Sequence, residues 1–239
     1  MKASLFVTCL VDQFFPNVGE STVRVLRRFG VDVDCPSGQT CCGQPLFNTG
    51  YRKEARDLAE RFINKFQDSE YVVAPSGSCV AMVRHHYPEL FTDDPALTRE
   101  SEALAARTYE FSEFVVKVLG CDDAGGRYQG RVTYHEACHL LRELEISEEP
   151  RRLLANVRDL ELIELPTSQV CCGFGGTFSV KFPEISSAML EDKIKDISGS
   201  QVDAVVANDV SCLMQLRGAL KRQALPIQTM HLAELLAQE

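Results

Sequence analysis

Two short segments of this chain, QTCCGQPLFNTG at residues 39–50 and QVCCGFGGTFSV at residues 169–180, share a Cys-Cys-Gly turn. Each turn has one cysteine 31 or 32 residues before it and another 36 or 39 residues after it. The two sets of four are Cys9, Cys41, Cys42 and Cys79, and Cys138, Cys171, Cys172 and Cys212. Equivalent cysteines lie 129 to 133 residues apart, so the pattern is an internal duplication that repeats the glycine together with the cysteines.

Four thiolates that converge on one point supply the ligands that an iron–sulfur cluster or a zinc ion requires. Free cysteines also occur as small buried hydrophobic residues, but that interpretation does not explain why the spacing repeats. The sequence therefore predicts two cofactor-binding sites, one for each set of four cysteines. We expect iron–sulfur clusters there, most simply of the 4Fe–4S type, and zinc is the alternative at one site.

The composition of the chain excludes several classes of function. It has 239 residues, 45% of them hydrophobic, and a net charge of −9. An acidic chain lacks the basic face that nucleic acids bind, so no nucleic-acid partner is predicted. We find no apolar stretch of the ~20 residues that a transmembrane helix needs, and no secretory signal. These features predict a cytoplasmic protein, in which clustered cysteines indicate metal binding or redox chemistry rather than disulfides.

Short apolar runs alternate with amphipathic patterns along the chain, which predicts an α/β fold with mainly parallel sheets flanked by helices. The predicted strands are residues 4–8, 71–74, 131–134, 160–165, 204–207 and 226–230. The predicted helices are residues 18–29, 52–66, 79–86, 97–119, 150–157, 184–197 and 211–221. In each half, two of the cysteine positions follow shortly after predicted strands. Ligands in such sheets gather at the carboxyl ends of strands, so we expect these cysteines to converge.

The polar, glycine-rich segment CDDAGGRYQG at residues 121–130 is the best candidate for a linker between the two halves. The sequence therefore predicts two tandem domains related by a pseudo-twofold axis. The first covers residues 1–125 and the second residues 126–239.

Seven stretches of the chain, taken in order, resemble the family of cysteine-rich or CCG-domain proteins. This family includes the B subunit of heterodisulfide reductase and the iron–sulfur subunit of glycolate oxidase. The stretches are TCLVDQFFPNVG, QTCCGQPLFNTG, PSGSC, YHEACH, CCGFGGTFSVKFPE, NDVSC and HLAELL. The family motif ends in CxxC, but Met82 and Gln215 occupy the position of the last cysteine in this chain. Each site thus has four cysteines instead of five, which is sufficient for one ordinary cluster.

The resemblance implies an iron–sulfur redox subunit of a multi-subunit lactate utilization system, which oxidises L-lactate to pyruvate. Its partners would be other iron–sulfur subunits, and the small 2-hydroxy acid would meet this chain only indirectly. The chain lacks a GxGxxG fingerprint, a P-loop and a ferredoxin-type cysteine run, so partners are needed to complete the electron relay. The alternative is a structural zinc-binding module in a redox complex, without electron transfer of its own. The sequence identifies no catalytic residue.

Residues 135–139, His-Glu-Ala-Cys-His, match the HExxH motif of zinc proteases. That chemistry needs both histidines on one helix, whereas a predicted strand runs directly into this segment. We therefore interpret His135 and His139 as donors near the second cysteine set, or as alternative zinc ligands. Together with nearby Lys181, they predict that the second set matters more for redox function. Cys35 and Cys121 fall outside the duplication and are predicted to be incidental.

Overall fold

A computed structural model describes the whole chain, residues 1–239. Eight strands form two four-stranded sheets, and every strand pairing is parallel. The first sheet consists of β1 (Lys2–Leu5), β2 (Asp32–Asp34), β3 (Val72–Ala74) and β4 (Thr108–Glu110). The second consists of β5 (Arg127–Tyr134), β6 (Arg158–Leu162), β7 (Ala204–Ala207) and β8 (Gln228–His231). The strand orders β2-β1-β3-β4 and β6-β5-β7-β8 are equivalent, so the duplication in the sequence is also a duplication of topology.

Helices connect the strands and cover the sheets, as parallel connections require. The α-helices are α1 (Cys9–Phe14), α2 (Pro16–Arg28), α3 (Gln44–Asn48), α4 (Arg52–Phe66), α5 (Gly77–Ala81), α6 (Tyr87–Leu90), α7 (Pro95–Ala105), α8 (Phe111–Glu113), α9 (Cys138–Arg142), α10 (Glu148–Ala155), α11 (Phe178–Lys181), α12 (Pro183–Gly199), α13 (Val210–Arg222) and α14 (Leu232–Leu236). Two π-helical turns, Met82–His86 and Phe114–Val118, continue α5 and α8. None of the helices is long and apolar enough to cross a membrane.

The predicted α/β class, with two mainly parallel sheets flanked by helices, is confirmed. The central strands β3 and β7 are buried along their whole length, which explains why they read as continuous apolar runs. The predicted helix over residues 97–119 is wrong in its middle, because β4 interrupts it. The sequence analysis also missed β2. Both strands have only three residues and carry charged side chains, so neither produces an apolar run.

Side chains from the two halves pack into shared cores. One core combines Leu5 and Val73 of the first sheet with Val132 and Val206 of the second. Arg28, on α2, donates hydrogen bonds to the carbonyls of Ala124, Leu236 and Ala237, which ties the first half to the carboxyl end of the chain. Because the cores are continuous across the halves, a boundary between residues 125 and 126 stays a prediction.

Candidate metal centre

All eight cysteines of the duplication line one cavity of about 360 Å³ between the two halves. Cys9 and Cys138 begin α1 and α9, just beyond the ends of β1 and β5. Cys79 and Cys212 lie in the first turns of α5 and α13, after β3 and β7. The two Cys-Cys-Gly turns complete the lining. The expected convergence at the carboxyl ends of the strands is therefore observed, and both sets face the same cavity.

The thiols of the first set lie in contact without forming disulfides. The Sγ atoms of Cys9 and Cys41 are 3.7 Å apart, and those of Cys42 and Cys79 are 3.5 Å apart. A disulfide needs about 2.05 Å, and all ten cysteines of the chain are free. Cys42 and Cys79 are buried, whereas Cys9 is exposed. The first set thus offers four sulfur donors in one place.

The second set includes a histidine as well as its cysteines. A ring nitrogen of His135 and the Sγ atoms of Cys172 and Cys212 all lie within 4.8 Å of one another. His135 is buried, and neither of its ring nitrogens has a hydrogen-bond partner. Buried polar atoms are nearly always paired, so a buried imidazole whose only polar neighbours of this kind are two thiols is a donor that a bound group would satisfy. A metal ion or cluster bound to the thiols would supply that partner.

The crowded thiols hold anionic and protonated sulfurs side by side. Hydrogen bonds from Cys42 and Cys9 lower the pKa of Cys41 to about 3. Hydrogen bonds from Cys138 and Cys172 lower the pKa of Cys171 to about 2.

The neighbours that donate these hydrogen bonds, among them Cys9 and Cys138, have a raised pKa for the same reason. The hydrogen bond from Cys172 lowers the pKa of Cys212 to about 6, and the charge of His135 acts in the same direction. Each set thus combines thiolates with protons that a bound cation would displace.

The glycine of each turn is required by its geometry. Gly43 and Gly173 have φ angles of 89° and 82°, in the left-handed region that favours glycine. A Cβ atom on Gly173 would lie 2.6 Å from the carbonyl oxygen of Ser186 on α12. The two glycine N–H groups donate to the Sγ atoms of Cys41 and Cys171. This explains why the glycine is repeated with the cysteines.

A buried carboxylate from the second half holds the helix that carries Cys79. Asp209 accepts hydrogen bonds from the hydroxyls of Ser76 and Ser78 at 3.1 and 3.0 Å, and from the Ser78 N–H at 2.9 Å. Ser76 itself caps α5 by accepting from the Cys79 N–H. Asp209 precedes α13, which carries Cys212, so the same loop positions a cysteine in each half. The sequence analysis did not identify this role.

The HExxH segment does not form a protease site. His135 directly follows β5 and His139 lies on α9, so the two are not on one helix. Glu136 is buried in an ion pair with Arg151 at 2.7 Å. His139 lines the cavity, but its Nε2 faces Glu143 at 3.5 Å. Of the two predicted histidines, the structure brings only His135 to the thiols of its set.

The remaining positions that the sequence analysis singled out lie in different surroundings. Met82 is buried in the core, and the amide of Gln215 donates to Ser186, so neither replaces the absent fifth thiol. Cys35 shares a second cavity with Cys9 and Cys41, whereas Cys121 packs into the core away from both sets.

Lys181 is exposed. The lysine that is buried behind the second set is Lys193, which the sequence analysis missed.

The comparisons with known proteins cover all eight cysteines of the duplication. The sequence profile of the cysteine-rich domain family matches residues 3–84 and 132–217. Lactate utilization protein A of Geobacillus sp. (strain WCH70) is 48% identical over 236 residues, covering 99% of each chain. Lactate utilization protein A 1 of Bacillus anthracis (strain CDC 684 / NRRL 3495) is 47% identical over 237 residues, covering 99% of this chain and 98% of its own. A putative Asp/Glu racemase from Yersinia pestis aligns over 99% of this chain and 96% of its own, with 11% identity and a TM-score of 0.39, which carries no functional argument.

Proposed function

Because this chain belongs to the cysteine-rich CCG-domain family, we propose that it is an iron–sulfur redox subunit of a lactate utilization system. The observation that supports this most is the single cavity lined by both sets of four thiols. The relatives at 47–48% identity, which match almost end to end, bear the name lactate utilization protein A. The substrate of the whole system would be L-lactate, which loses two electrons and two protons to become pyruvate.

The donor set suits an iron–sulfur cluster in each half. Cys9, Cys41, Cys42 and Cys79 would hold one cluster, and Cys138, Cys171, Cys172 and Cys212 the other. A cluster bound there would supply one-electron transfer, by which the two electrons of a 2-hydroxy acid oxidation can be passed on singly. The chain's own residues provide the sulfur ligands, the glycine N–H donors to Cys41 and Cys171, and the cavity around them.

Partners and location follow from the same features. The chain presents no recognisable dinucleotide site, so other subunits would have to oxidise lactate and carry electrons to or from this one. We further propose a cytoplasmic location, because ten free thiols, several in direct contact, persist best in a reducing compartment. The tandem domains 1–125 and 126–239 would each carry one cluster.

Zinc at one site is a second candidate, and His135 is the observation that favours it. Three cysteines and one histidine form a common structural zinc set, and His135 lies within 4.8 Å of Cys172 and Cys212. His139 is a weaker alternative ligand, because Glu143 already engages its Nε2. In this case the second half would be a structural module without electron transfer of its own.

Anaerobic purification with the neighbouring subunits separates the two candidates. We expect iron and sulfide in both halves, brown colour with broad visible absorption, and lactate-dependent reduction of a dye. The dye takes the two electrons, and the two protons pass to solvent. Stoichiometric zinc that resists exchange for iron and sulfide would favour the structural module. A colourless, iron-free chain in an otherwise active complex would contradict the iron–sulfur function.

Substitution of single cysteines tests whether the sets are equivalent. Cys171→Ser is expected to abolish lactate-dependent turnover in complexes of normal subunit content. Cys41→Ser is expected to reduce stability or assembly first, with partial turnover in the complexes that form. The opposite ranking, measured on complexes with matched subunit content, would show that the first set is the more important one.

A further inference from the structure

The helix behind each Cys-Cys-Gly turn buries five residues at equivalent positions. The glycine of the turn packs against Ala55 on α4 in the first half and against Ser186 on α12 in the second, which fixes the alignment of the two helices. The buried residues of α4 are Ala55, Ala59, Phe62, Ile63 and Phe66, and those of α12 are Ser186, Leu190, Lys193, Ile194 and Ile197. Each pair is 131 positions apart. Lys193 is therefore the counterpart of Phe62.

A second pair of equivalent residues differs in the same way. The Phe6 N–H donates to the carbonyl of Val73 on the neighbouring strand at 2.9 Å, and the His135 N–H donates to that of Val206 at 2.8 Å. Both residues lie three positions before the first cysteine of their set. His135 is therefore the counterpart of Phe6.

In the first half, the two counterparts form an apolar contact. The rings of Phe6 and Phe62 pack edge to face, with centroids 4.8 Å apart, and are only 1% and 2% exposed. In the second half, His135 is 2% exposed and Lys193 is 1% exposed. The two halves thus share these backbone positions but differ in their side chains. Two aromatic residues in the first half correspond to two basic residues in the second.

The ammonium group of Lys193 has no carboxylate in salt-bridge contact. Its Nζ donates to the carbonyls of Thr167 and Ser168, the latter at 3.5 Å. Burial lowers the pKa of Lys193, whereas the charges of Asp196, Cys172, Cys138 and Cys212 favour its protonated form. Three of these four groups are thiols of the second set. A buried cation needs an anion nearby, and Asp196 together with the thiols of the second set provides it.

We propose that Lys193 and His135 make the second set the site of higher reduction potential, so that an electron shared by the two sites resides in the second half. Reduction adds negative charge to a cluster, and a buried cation and an N–H donor stabilise that charge, whereas a phenylalanine pair does not. The transfer moves one electron, oxidises the first cluster and reduces the second, and makes or breaks no bond. This inference rests on the proposed function, since it requires a cluster in each half.

Lys193→Met is the direct test, and Phe62→Met is its matched control in the first half. Methionine keeps a similar length at both positions and suits a buried site. The full-length protein is purified anaerobically with its clusters, and their midpoint potentials are measured by redox titration followed by electron paramagnetic resonance. We expect two transitions. Lys193→Met should lower the higher midpoint potential by at least 59 mV, which corresponds to a tenfold change in the one-electron equilibrium constant. It should leave the lower midpoint potential unchanged. Phe62→Met should not lower the higher one.

His135→Phe provides an independent readout, because it recreates the first-half residue in the second half. It should also lower the higher transition. In protein labelled with ¹⁵N-histidine, it should remove a nitrogen coupling from the spectrum of that cluster.

Two clusters whose transitions respond equally to Lys193→Met and Phe62→Met would overturn the inference and leave the proposed function intact. The inference would also be overturned if Lys193→Met changed the lower midpoint potential and left the higher one unchanged. Iron-free wild-type protein would instead contradict the proposed function itself.

Discussion

Replacing Glu110 by glutamine tests whether a carboxyl that is buried at the boundary between the two halves stays protonated in the folded chain. Glu110 ends β4 in the first sheet and is fully buried. It accepts hydrogen bonds from the Asn208 amide at 2.9 Å, across the boundary between the halves, and from the Ser112 N–H at 2.7 Å. Burial raises the pKa of Glu110 to about 7, and the hydrogen bonds from Ser112 and Asn208 only partly oppose this. A glutamine has the same shape but cannot ionise.

The raised pKa sets both the sign and the size of the effect. Below pH 4.5, the usual value for this carboxyl, it is protonated in the folded and the unfolded chain alike. Between pH 4.5 and about 7 the folded chain keeps a proton that the unfolded chain releases, so the free energy of unfolding falls as pH rises. At 1.36 kcal/mol per pKa unit, the wild type loses about 3 kcal/mol by pH 8 that Glu110→Gln does not lose.

Urea unfolding of the reduced, metal-free chain, followed by circular dichroism from pH 5 to pH 8, measures this difference. Other titrating groups cancel when the variant is compared with the wild type at each pH. Glu102→Gln, on the exposed side of α7, is the control and should follow the wild type throughout. If Glu110→Gln and the wild type lose stability in parallel over this range, Glu110 is not held protonated by its burial, and the argument is refuted.

Three further substitutions probe the surroundings of the thiols. Asp209→Ala removes the acceptor of three hydrogen bonds from the first half and should lower the free energy of unfolding by about 3 kcal/mol in the same urea assay. Gly77→Ala would bring a Cβ atom to 2.7 Å from the Cβ of Leu140 across the boundary, and should cost about 1–3 kcal/mol, whereas Gly199→Ala, which faces open space, should cost nothing. Tyr87→Phe loses the 2.9 Å hydrogen bond to the carbonyl of the first Cys-Cys-Gly turn and should cost about 1 kcal/mol, with the iron content per chain unchanged.

The fold could be predicted from the sequence wherever burial leaves an unbroken apolar run. The strands β3 and β7 are of this kind, and the sequence analysis found both. The strands β2 and β4 could not be found in this way, because Asp-Val-Asp and Thr-Tyr-Glu contain acidic side chains. Their pairing with β1 and β3 is decided by distant parts of the chain, not by their own sequence.

The candidate site could be predicted as far as its cysteines, since their spacing repeats. Its polar surroundings could not. Lys193 occupies a position in an otherwise mostly apolar stripe of α12, where a lysine usually marks the exposed face. Aligning the two halves with each other would have revealed it, because Phe62 stands at the equivalent position. Lys181, the lysine that the sequence analysis named near the second set, is nearer to the turn in sequence but exposed in the structure.

The cost of burying Lys193 argues that its charge serves the second set of thiols and not the stability of the fold. Phe6 and Phe62 demonstrate that two apolar rings fill the equivalent space in this architecture. An ammonium group in such a position loses its hydration, and backbone carbonyls recover only part of that loss. A lysine there becomes favourable only when anions lie close by, and Asp196 is one of them. On a bound metal or cluster all four thiols of the second set would be anionic, including Cys138, whose pKa is raised in the empty chain. The bound state therefore adds negative charge beside Lys193 to that of Asp196 and the thiolates of the empty chain, and this added charge distinguishes position 193 from its apolar counterpart in the first half.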